Sequence, residues 1–206
     1  ETGIGQAPAL LVEPAPGLPA RDPKGDTDDD VARVTAALSK VADRLDARAL
    51  EADPSAIGVL MATAMMARDP GLTSSVRTHL EEGDGPAHAL WGAIDDFCAQ
   101  LTAAGGYLAE RVTDLHNVRD RALAVLQGLT EPGVPAFDSP VILVAEDLAP
   151  ADTATLDPEL VRGLVTAAGG PTSHTAILAA QIGIPAVVRC PGICEVESGT
   201  ELALDG

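Results

Sequence analysis

The sequence predicts an α/β fold interrupted by an all-α insertion, because its hydrophobic pattern changes period twice along 206 residues. Residues 1–22 and 137–206 contain short continuous apolar runs typical of buried strands, whereas residues 23–136 repeat apolar side chains at helical spacing. Aromatic residues make up only 2% of the chain, so the core must consist of Ala, Leu and Val, which suits closely packed helices. We therefore expect an α/β subdomain formed by residues 1–22 and 137–206, with a helical subdomain at 23–136.

The amino-terminal segment combines one apolar stretch with many turn-forming residues. Residues 9–12 are Ala-Leu-Leu-Val, and glycines and prolines punctuate the rest of the segment. This composition predicts one strand followed by an extended connector. We expect that strand to join the same sheet as the carboxy-terminal strands.

The middle segment contains four or five predicted amphipathic helices. The first begins at Thr27, where Asp30 three residues later gives a capping-box-like pattern. The last ends near Gly128. Prolines mark three further helix starts: Pro54, Pro70 and Pro86. Amphipathic helices joined by short turns are typical of a bundle.

The carboxy-terminal segment returns to strand-like runs. Strands are predicted at residues 140–144, 164–167, 184–188 and 201–204, with a helix at about 172–181 between the second and third. A continuous apolar run such as Val141-Ile142-Leu143-Val144 is typical of a parallel strand buried on both faces. The segment therefore has the pattern of an α/β domain.

Charge and cysteine content narrow the function classes. The formal net charge is −18, which argues against nucleic acid as a partner, since phosphate binding depends on Lys and Arg. The charge is compatible with a partner that has a basic face. No secretory segment and no apolar run of about 20 residues is present. Three cysteines make no disulfide framework, which fits a reducing cytoplasm, and Cys190 with Cys194 lacks the second pair that a metal site needs, so no metal is expected.

The most informative stretch is Gly169-Gly-Pro-Thr-Ser-His-Thr-Ala-Ile-Leu-Ala179, which follows a predicted strand and opens a predicted helix. The glycines allow a sharp turn, and Thr172 or Ser173 is suited to cap the helix. His174 then falls in the first turn, where the positive end of the helix dipole favours a neutral, nucleophilic imidazole and a phosphate placed on it. By itself, a histidine at this position is more often a cap or a surface residue.

That stretch resembles the phosphohistidine motif of the swivelling domains in phosphotransferase-system Enzyme I, pyruvate phosphate dikinase and phosphoenolpyruvate synthase, and Ile182-Gly-Ile-Pro-Ala-Val-Val188 continues the resemblance. Residues 144–154 are similar to the Enzyme I pattern upstream of the motif. Residues 65–72 and 107–118 resemble helices of the Enzyme I subdomain that binds the phosphocarrier protein HPr, which the dikinases and synthases lack. By this resemblance, the chain is identified as a member of the Enzyme I family that corresponds to the family's amino-terminal domain.

The resemblance implies roles for individual residues. His174 is the phosphohistidine nucleophile, and Thr153 hydrogen-bonds that histidine, although a plain helix cap is an equally good interpretation of Thr153. A phosphate cradle is expected from Gly169, Gly170, Thr172 and Ser173.

The implied carrier-docking residues are Met65, Met66 and Arg111. Flexible thioethers adapt to a partner surface. Core packing is the commoner role of a methionine pair, and a solvated helix face is the alternative for Arg111.

The resemblance also implies an activity: phosphoenolpyruvate phosphorylates His174 through a carboxy-terminal domain beyond this chain, and the phosphoryl group passes to a histidine of HPr during sugar uptake. No cofactor is expected within residues 1–206, magnesium is expected for the full enzyme, and the location is expected to be cytoplasmic.

Two residues depart from the family pattern. Ala180 stands where the family usually has Arg, and Arg189 stands where a Gly commonly follows the Ala-Val-Val strand. Arg189 is a candidate replacement for the lost charge, or the departures weaken phosphotransfer. Two rival functions stay open. One is the swivelling domain of a dikinase or synthase relative, against which the helical insertion argues; the other is a regulatory docking protein without catalysis, which these two departures keep open.

Overall fold

The computed structural model describes residues 4–52, 54–109, 111–135, 137–148, 156–170 and 173–205. The chain divides into two compact units. An α/β unit comprises Glu1–Pro14 and Pro132–Gly206, and a helical unit comprises Ala15–Glu131. The predicted fold class, α/β plus all-α, is confirmed by the mixed sheet of the first unit and the helices of the second.

Six helices form the described part of the helical unit: α1 Thr27–Glu51, α2 Pro54–Ala67, α3 Pro70–Glu82, α4 Pro86–Ala104, α5 Gly106–Ala109 and α6 Val112–Gln127. The three predicted proline starts are confirmed, since α2, α3 and α4 each begin at a proline. Helix α1 begins at Thr27 as predicted, but the capping residue needs a correction, because it is Asp26 rather than Thr27. The Asp26 Oδ1 atom accepts hydrogen bonds from the backbone N–H groups of Asp28 and Asp29 at 3.0 and 3.2 Å.

The core of the helical unit consists of aliphatic side chains spaced three or four residues apart on each long helix. Every large member has 2% or less of its surface exposed: Leu38, Leu45, Leu60, Leu72, Leu80, Leu90, Ile94, Leu115 and Leu123. Among the helices of the described ranges, none has the length and apolar character needed to span a membrane.

The α/β unit is built on one five-stranded sheet of order β4-β3-β2-β1-β5. Its elements are β1 Ile4–Leu11, β2 Val141–Ala145, β3 Val161–Thr166, α7 His174–Ile182, β4 Ala186–Val187, a 3₁₀ turn Ile193–Glu195 and β5 Glu201–Asp205. Strands β1 to β4 are parallel, and β5 pairs antiparallel with β1. The expectation that the amino-terminal strand joins this sheet is confirmed.

Strand β2 lies in the middle of the sheet, and this position accounts for its apolar sequence. All five of its residues are buried, as the unbroken apolar run predicts for a parallel strand covered on both faces. Since β2, β3 and β4 are parallel, their carboxyl ends, at Ala145, Thr166 and Val187, lie along one edge of the sheet. The segments that follow these three strands therefore meet at that carboxyl edge, where parallel α/β sheets commonly hold their ligands.

Candidate functional site

The segment after β3 forms a tight turn that is held against the end of β2. The backbone N–H groups of Ala167 and Ala168 donate to the carbonyl oxygens of Ala145 and Glu146 at 3.0 and 2.8 Å. The Thr166 hydroxyl donates to the Ala168 carbonyl oxygen at 2.9 Å. These bonds continue the pairing of β2 with β3 beyond the strands and fix where the following glycines begin.

Gly169 needs to be a glycine at this turn. Its φ is +82°, a backbone conformation that side chains with a Cβ rarely adopt. A Cβ there would also approach the Ser173 Oγ atom to 3.3 Å. The predicted role of the glycine pair in making a sharp turn is therefore matched by the backbone geometry at Gly169.

Helix α7 begins at His174 and is capped by Ser173. The Ser173 N–H donates to the Gly170 carbonyl oxygen at 2.8 Å, and the Ser173 Oγ atom accepts from the Ala176 N–H at 3.3 Å. Of the two residues expected to cap, Ser173 is the one seen to do so, while Thr172 lies outside the described residues. The backbone of His174 thus occupies the first position of the helix, and its side chain is outside the described part of the structure.

The segment after β2 is tied to α7 through the residue next to His174. The buried Thr175 hydroxyl donates to the Asp147 Oδ1 atom at 3.3 Å, and the same oxygen accepts from the Leu148 N–H at 2.9 Å. The sequence analysis did not identify this pair, although an acidic residue just past a buried strand was an available signal. Thr153, further along the same segment, lies outside the described residues.

The segment after β4 brings Arg189 to the glycine turn. The Arg189 Nε–H donates to the Gly169 carbonyl oxygen at 2.9 Å. A Cβ on Gly170 would lie 3.3 Å from the Arg189 Nη2 atom, so the guanidinium lies over this glycine. Ala180, the other departure from the family pattern, is exposed on α7.

The three candidate docking residues belong to the helical unit and differ in exposure. Met65 has 72% of its surface exposed, and Met61, one turn earlier on α2, has 51% exposed. Met66, in contrast, is half-buried against the helical core. The Arg111 Nη1 atom contacts the Asp114 Oδ2 atom at 2.9 Å, and both side chains are mostly buried, with 13% and 7% exposed. Burial raises the pKa of Asp114, and the adjacent Arg111 offsets only part of that rise. Arg111 therefore does not lie on a solvated helix face.

The candidate metal ligands are the histidine, cysteine and carboxylate side chains that the structure describes. Across these residues, no group of three or more His, Cys, Asp and Glu side chains is arranged to hold a metal ion. Cys98, Cys190 and Cys194 are free thiols. Burial raises the pKa of Cys194, and the nearby Glu146 carboxylate raises it further.

Comparisons with known proteins agree on one family. A model described as "PEP-utilising enzyme, N-terminal" matches residues 1–111, and one described as "PEP-utilising enzyme, mobile domain" matches residues 137–206. The phosphoenolpyruvate-protein phosphotransferase of Streptomyces coelicolor is 48% identical over 198 residues, covering 96% of this chain and 35% of the relative. The protein of the same name from Staphylococcus carnosus is 35% identical over 206 residues, with the same two coverages. The chain spans about a third of the length of these curated relatives.

A solved structure matches the whole chain. A solution structure of Enzyme I superposes with a TM-score of 0.85 at 28% sequence identity, covering 100% of this chain and 86% of that one. An N-terminal domain of a nitrogen-type Enzyme 1 has a TM-score of 0.64 at 23% identity and is therefore similar in fold alone.

Proposed function

Because the chain belongs to the family of phosphoenolpyruvate-utilising enzymes, we propose that it carries a phosphoryl group on His174 as the amino-terminal part of a phosphoenolpyruvate-protein phosphotransferase. The observation that carries this proposal is the position of residue 174. It opens helix α7 directly after a glycine turn, at the edge where four parallel strands end. Backbone N–H groups at such a helix start favour the negative charge of a phosphoryl group.

The proposed chemistry consists of two substitutions at phosphorus. In the first, a lone pair on a ring nitrogen of His174 forms an N–P bond while the P–O bond of phosphoenolpyruvate breaks, and pyruvate leaves as its enolate. In the second, a ring nitrogen of a histidine on the phosphocarrier protein HPr attacks the phosphorus, and the N–P bond to His174 breaks. Both protein states of the second step are phosphohistidines, so the free-energy change is small and catalysis depends mainly on positioning.

The residues around the helix start support this positioning role. The hydrogen bond between Ser173 and Gly170 fixes the start of α7 before His174. The Asp147 carboxylate accepts a hydrogen bond from Thr175, the residue that follows His174. We assign Gly169, Gly170, Ser173 and Thr172 to the phosphate cradle and Thr153 to a hydrogen bond with the histidine.

For the partner, we propose that HPr docks on the helical unit near Met65 and Arg111. The exposed thioether of Met65 offers apolar contact area, and its flexible side chain can adapt to the surface of a partner. The helical unit carries 19 acidic and 11 basic residues, which would attract a carrier with a basic face and speed its association. Met66 contributes through packing behind this surface, since it is half-buried.

The remaining functions of the full enzyme are assigned outside residues 1–206. We place the phosphoenolpyruvate site, together with magnesium, in a carboxy-terminal domain, because the chain spans only about a third of the length of its curated relatives. Sugar uptake in the cytoplasm is the proposed context.

Transfer of label from HPr tests the proposal. HPr carrying a ³²P-phosphohistidine is mixed with the 206-residue chain, and the products are separated after brief incubation. We expect acid-labile, base-stable label on the chain and none on His174→Ala. His116→Ala, which removes a histidine of helix α6 in the helical unit, is the matched control and should be fully labelled. Absence of label on the parent chain would favour a dikinase or synthase relative or a docking protein, and label persisting on His174→Ala would move the site elsewhere.

A further inference from the structure

Arg189 has a backbone conformation that does not suit its residue type. Its φ is 58°, and it is the only non-glycine among the described residues with a positive φ. Arginine has no intrinsic preference for this left-handed region, where a glycine meets no steric penalty. Such strain persists only when surrounding contacts maintain it, and it often marks a functional position.

The side chain of Arg189 braces the glycine turn. Its Nε–H donates to the Gly169 carbonyl oxygen at 2.9 Å, and its guanidinium lies over Gly170, where an added Cβ would come within 3.3 Å of Nη2 and 3.7 Å of Cζ. The Gly170 carbonyl oxygen in turn accepts from the N–H of Ser173, the cap of α7. The guanidinium is thus linked to the residue that precedes His174 by contacts with two consecutive glycines.

The charges of the α/β unit make this guanidinium unusual. By sequence, the unit contains 12 acidic residues and two basic ones, Arg162 and Arg189. Arg162 is the second residue of β3, and four residues of strand, about 13 Å, separate it from the carboxyl end at Thr166. Glu146, which follows β2, adds a carboxylate at that end. Among the described side chains of the α/β unit, Arg189 is therefore the one cation at the carboxyl edge.

We propose that Arg189 is a positioning residue that stabilises the phosphorylated state of His174, by holding the glycine turn and by supplying positive charge beside the phosphoryl group. The inference rests on the proposed phosphohistidine function. The planar fork of N–H donors on a guanidinium matches the oxygens of a phosphate group. This contribution explains why the strained arginine occupies a position where glycine would be easier to accommodate.

Four variants separate charge from backbone geometry. Arg189→Gln removes the charge, Arg189→Lys retains it without the fork, and Arg189→Gly removes the side chain while relieving the backbone. Arg162→Gln is the matched control, because it makes the same change of charge in the same unit. Circular dichroism and thermal unfolding confirm that each variant is folded. The readout is the equilibrium constant for transfer of ³²P from phosphorylated HPr to the chain, measured at low and high salt.

We expect Arg189→Gln and Arg189→Gly to lower this constant about tenfold, the size of one lost charge-assisted hydrogen bond, with Arg189→Lys between them and the parent. The difference from the parent should shrink in high salt, and Arg162→Gln should behave as the parent. If Arg189→Gly transfers as well as the parent, the arginine is dispensable and the inference is wrong. Equal losses in Arg162→Gln and Arg189→Gln would show that the transfer constant depends only on overall charge, and this result would also overturn the inference. A parent chain that takes no label fails differently, since it refutes the phosphohistidine function itself.

Discussion

The cap of helix α7 offers the sharpest prediction, because one hydroxyl positions the first turn that carries His174. The Ser173 Oγ atom accepts from the Ala176 N–H. The helix has only nine residues, and isolated helices of that length are marginal in water. Ser173→Ala deletes the acceptor without adding volume, so its effect reports the cap alone.

The expected magnitude follows from the geometry of that bond. A donor–acceptor distance of 3.3 Å is slightly longer than the usual range for N–H···O bonds. The cap should therefore contribute about 1 kcal/mol, inside the general range for serine caps rather than at its upper end. Local opening of the first turn should then become about fivefold more frequent.

Amide hydrogen exchange measures this opening residue by residue. In Ser173→Ala, the Ala176 amide should exchange about fivefold faster than in the parent when opening is local. The amide of Ile142, in the middle strand, serves as the internal control and should not change, since β2 is buried and paired on both sides.

Two further substitutions test the same reasoning. Ser173→Asn should restore protection, because asparagine caps as well as serine. Ser173→Asp should restore protection too, yet lower phosphoryl transfer, because it adds negative charge beside the phosphoryl site. Unchanged protection in Ser173→Ala, or a loss that asparagine fails to restore, would refute the assignment of Ser173 as the cap.

Two other predictions concern the helical unit. Burial lowers the pKa of His79, but its contacts with the carboxylates of Asp96, at 3.0 Å, and Asp84, at 3.4 Å, outweigh burial and raise the pKa above 6.5. The contribution of these contacts to the free energy of unfolding is therefore complete below about pH 6.5 and is lost as the pH rises through the raised pKa. The urea midpoint should accordingly fall more between about pH 6 and pH 8.5 in the parent than in His79→Gln, and parallel curves would contradict the assignment. Met65→Ala should weaken HPr binding several-fold, about 1 kcal/mol, without lowering the melting temperature, as seen by calorimetric titration. Leu50→Ala, at a residue 89% exposed on α1, is the control, and equal losses in both variants would argue against a specific methionine contact.

Much of the fold was predictable because it follows from local rules. Proline cannot donate a backbone hydrogen bond and suits a helix start, so the beginnings of α2, α3 and α4 were visible in the sequence. The apolar run of β2 indicated a strand covered on both faces, and the glycine pair before His174 indicated a turn into a helix. These features involve neighbours within a few residues of one another.

Other features depended on which residue of a pair faces the core. Met65 and Met66 looked equivalent as a docking pair, but successive residues of a helix point about 100° apart. Only Met66 packs against the helical core, and Met65 remains exposed. Likewise, the spacing of Thr27 and Asp30 made Thr27 look like the cap, while it is the Asp26 carboxylate that accepts hydrogen bonds from backbone N–H groups of the first turn.

The sequence by itself determined the family, the two kinds of subdomain and the histidine at the start of α7, since each is a pattern of consecutive residues. Tertiary structure alone brought Asp147 to Thr175 and Arg189 to Gly169, and it set β5 antiparallel to β1. These contacts join segments that are 28 and 20 residues apart in the chain, or almost its full length apart. The two side-chain contacts form because parallel strands bring their carboxyl ends to one edge of the sheet, and the β5–β1 pairing depends on strand order. Strand order is a property of packing that no local pattern specifies.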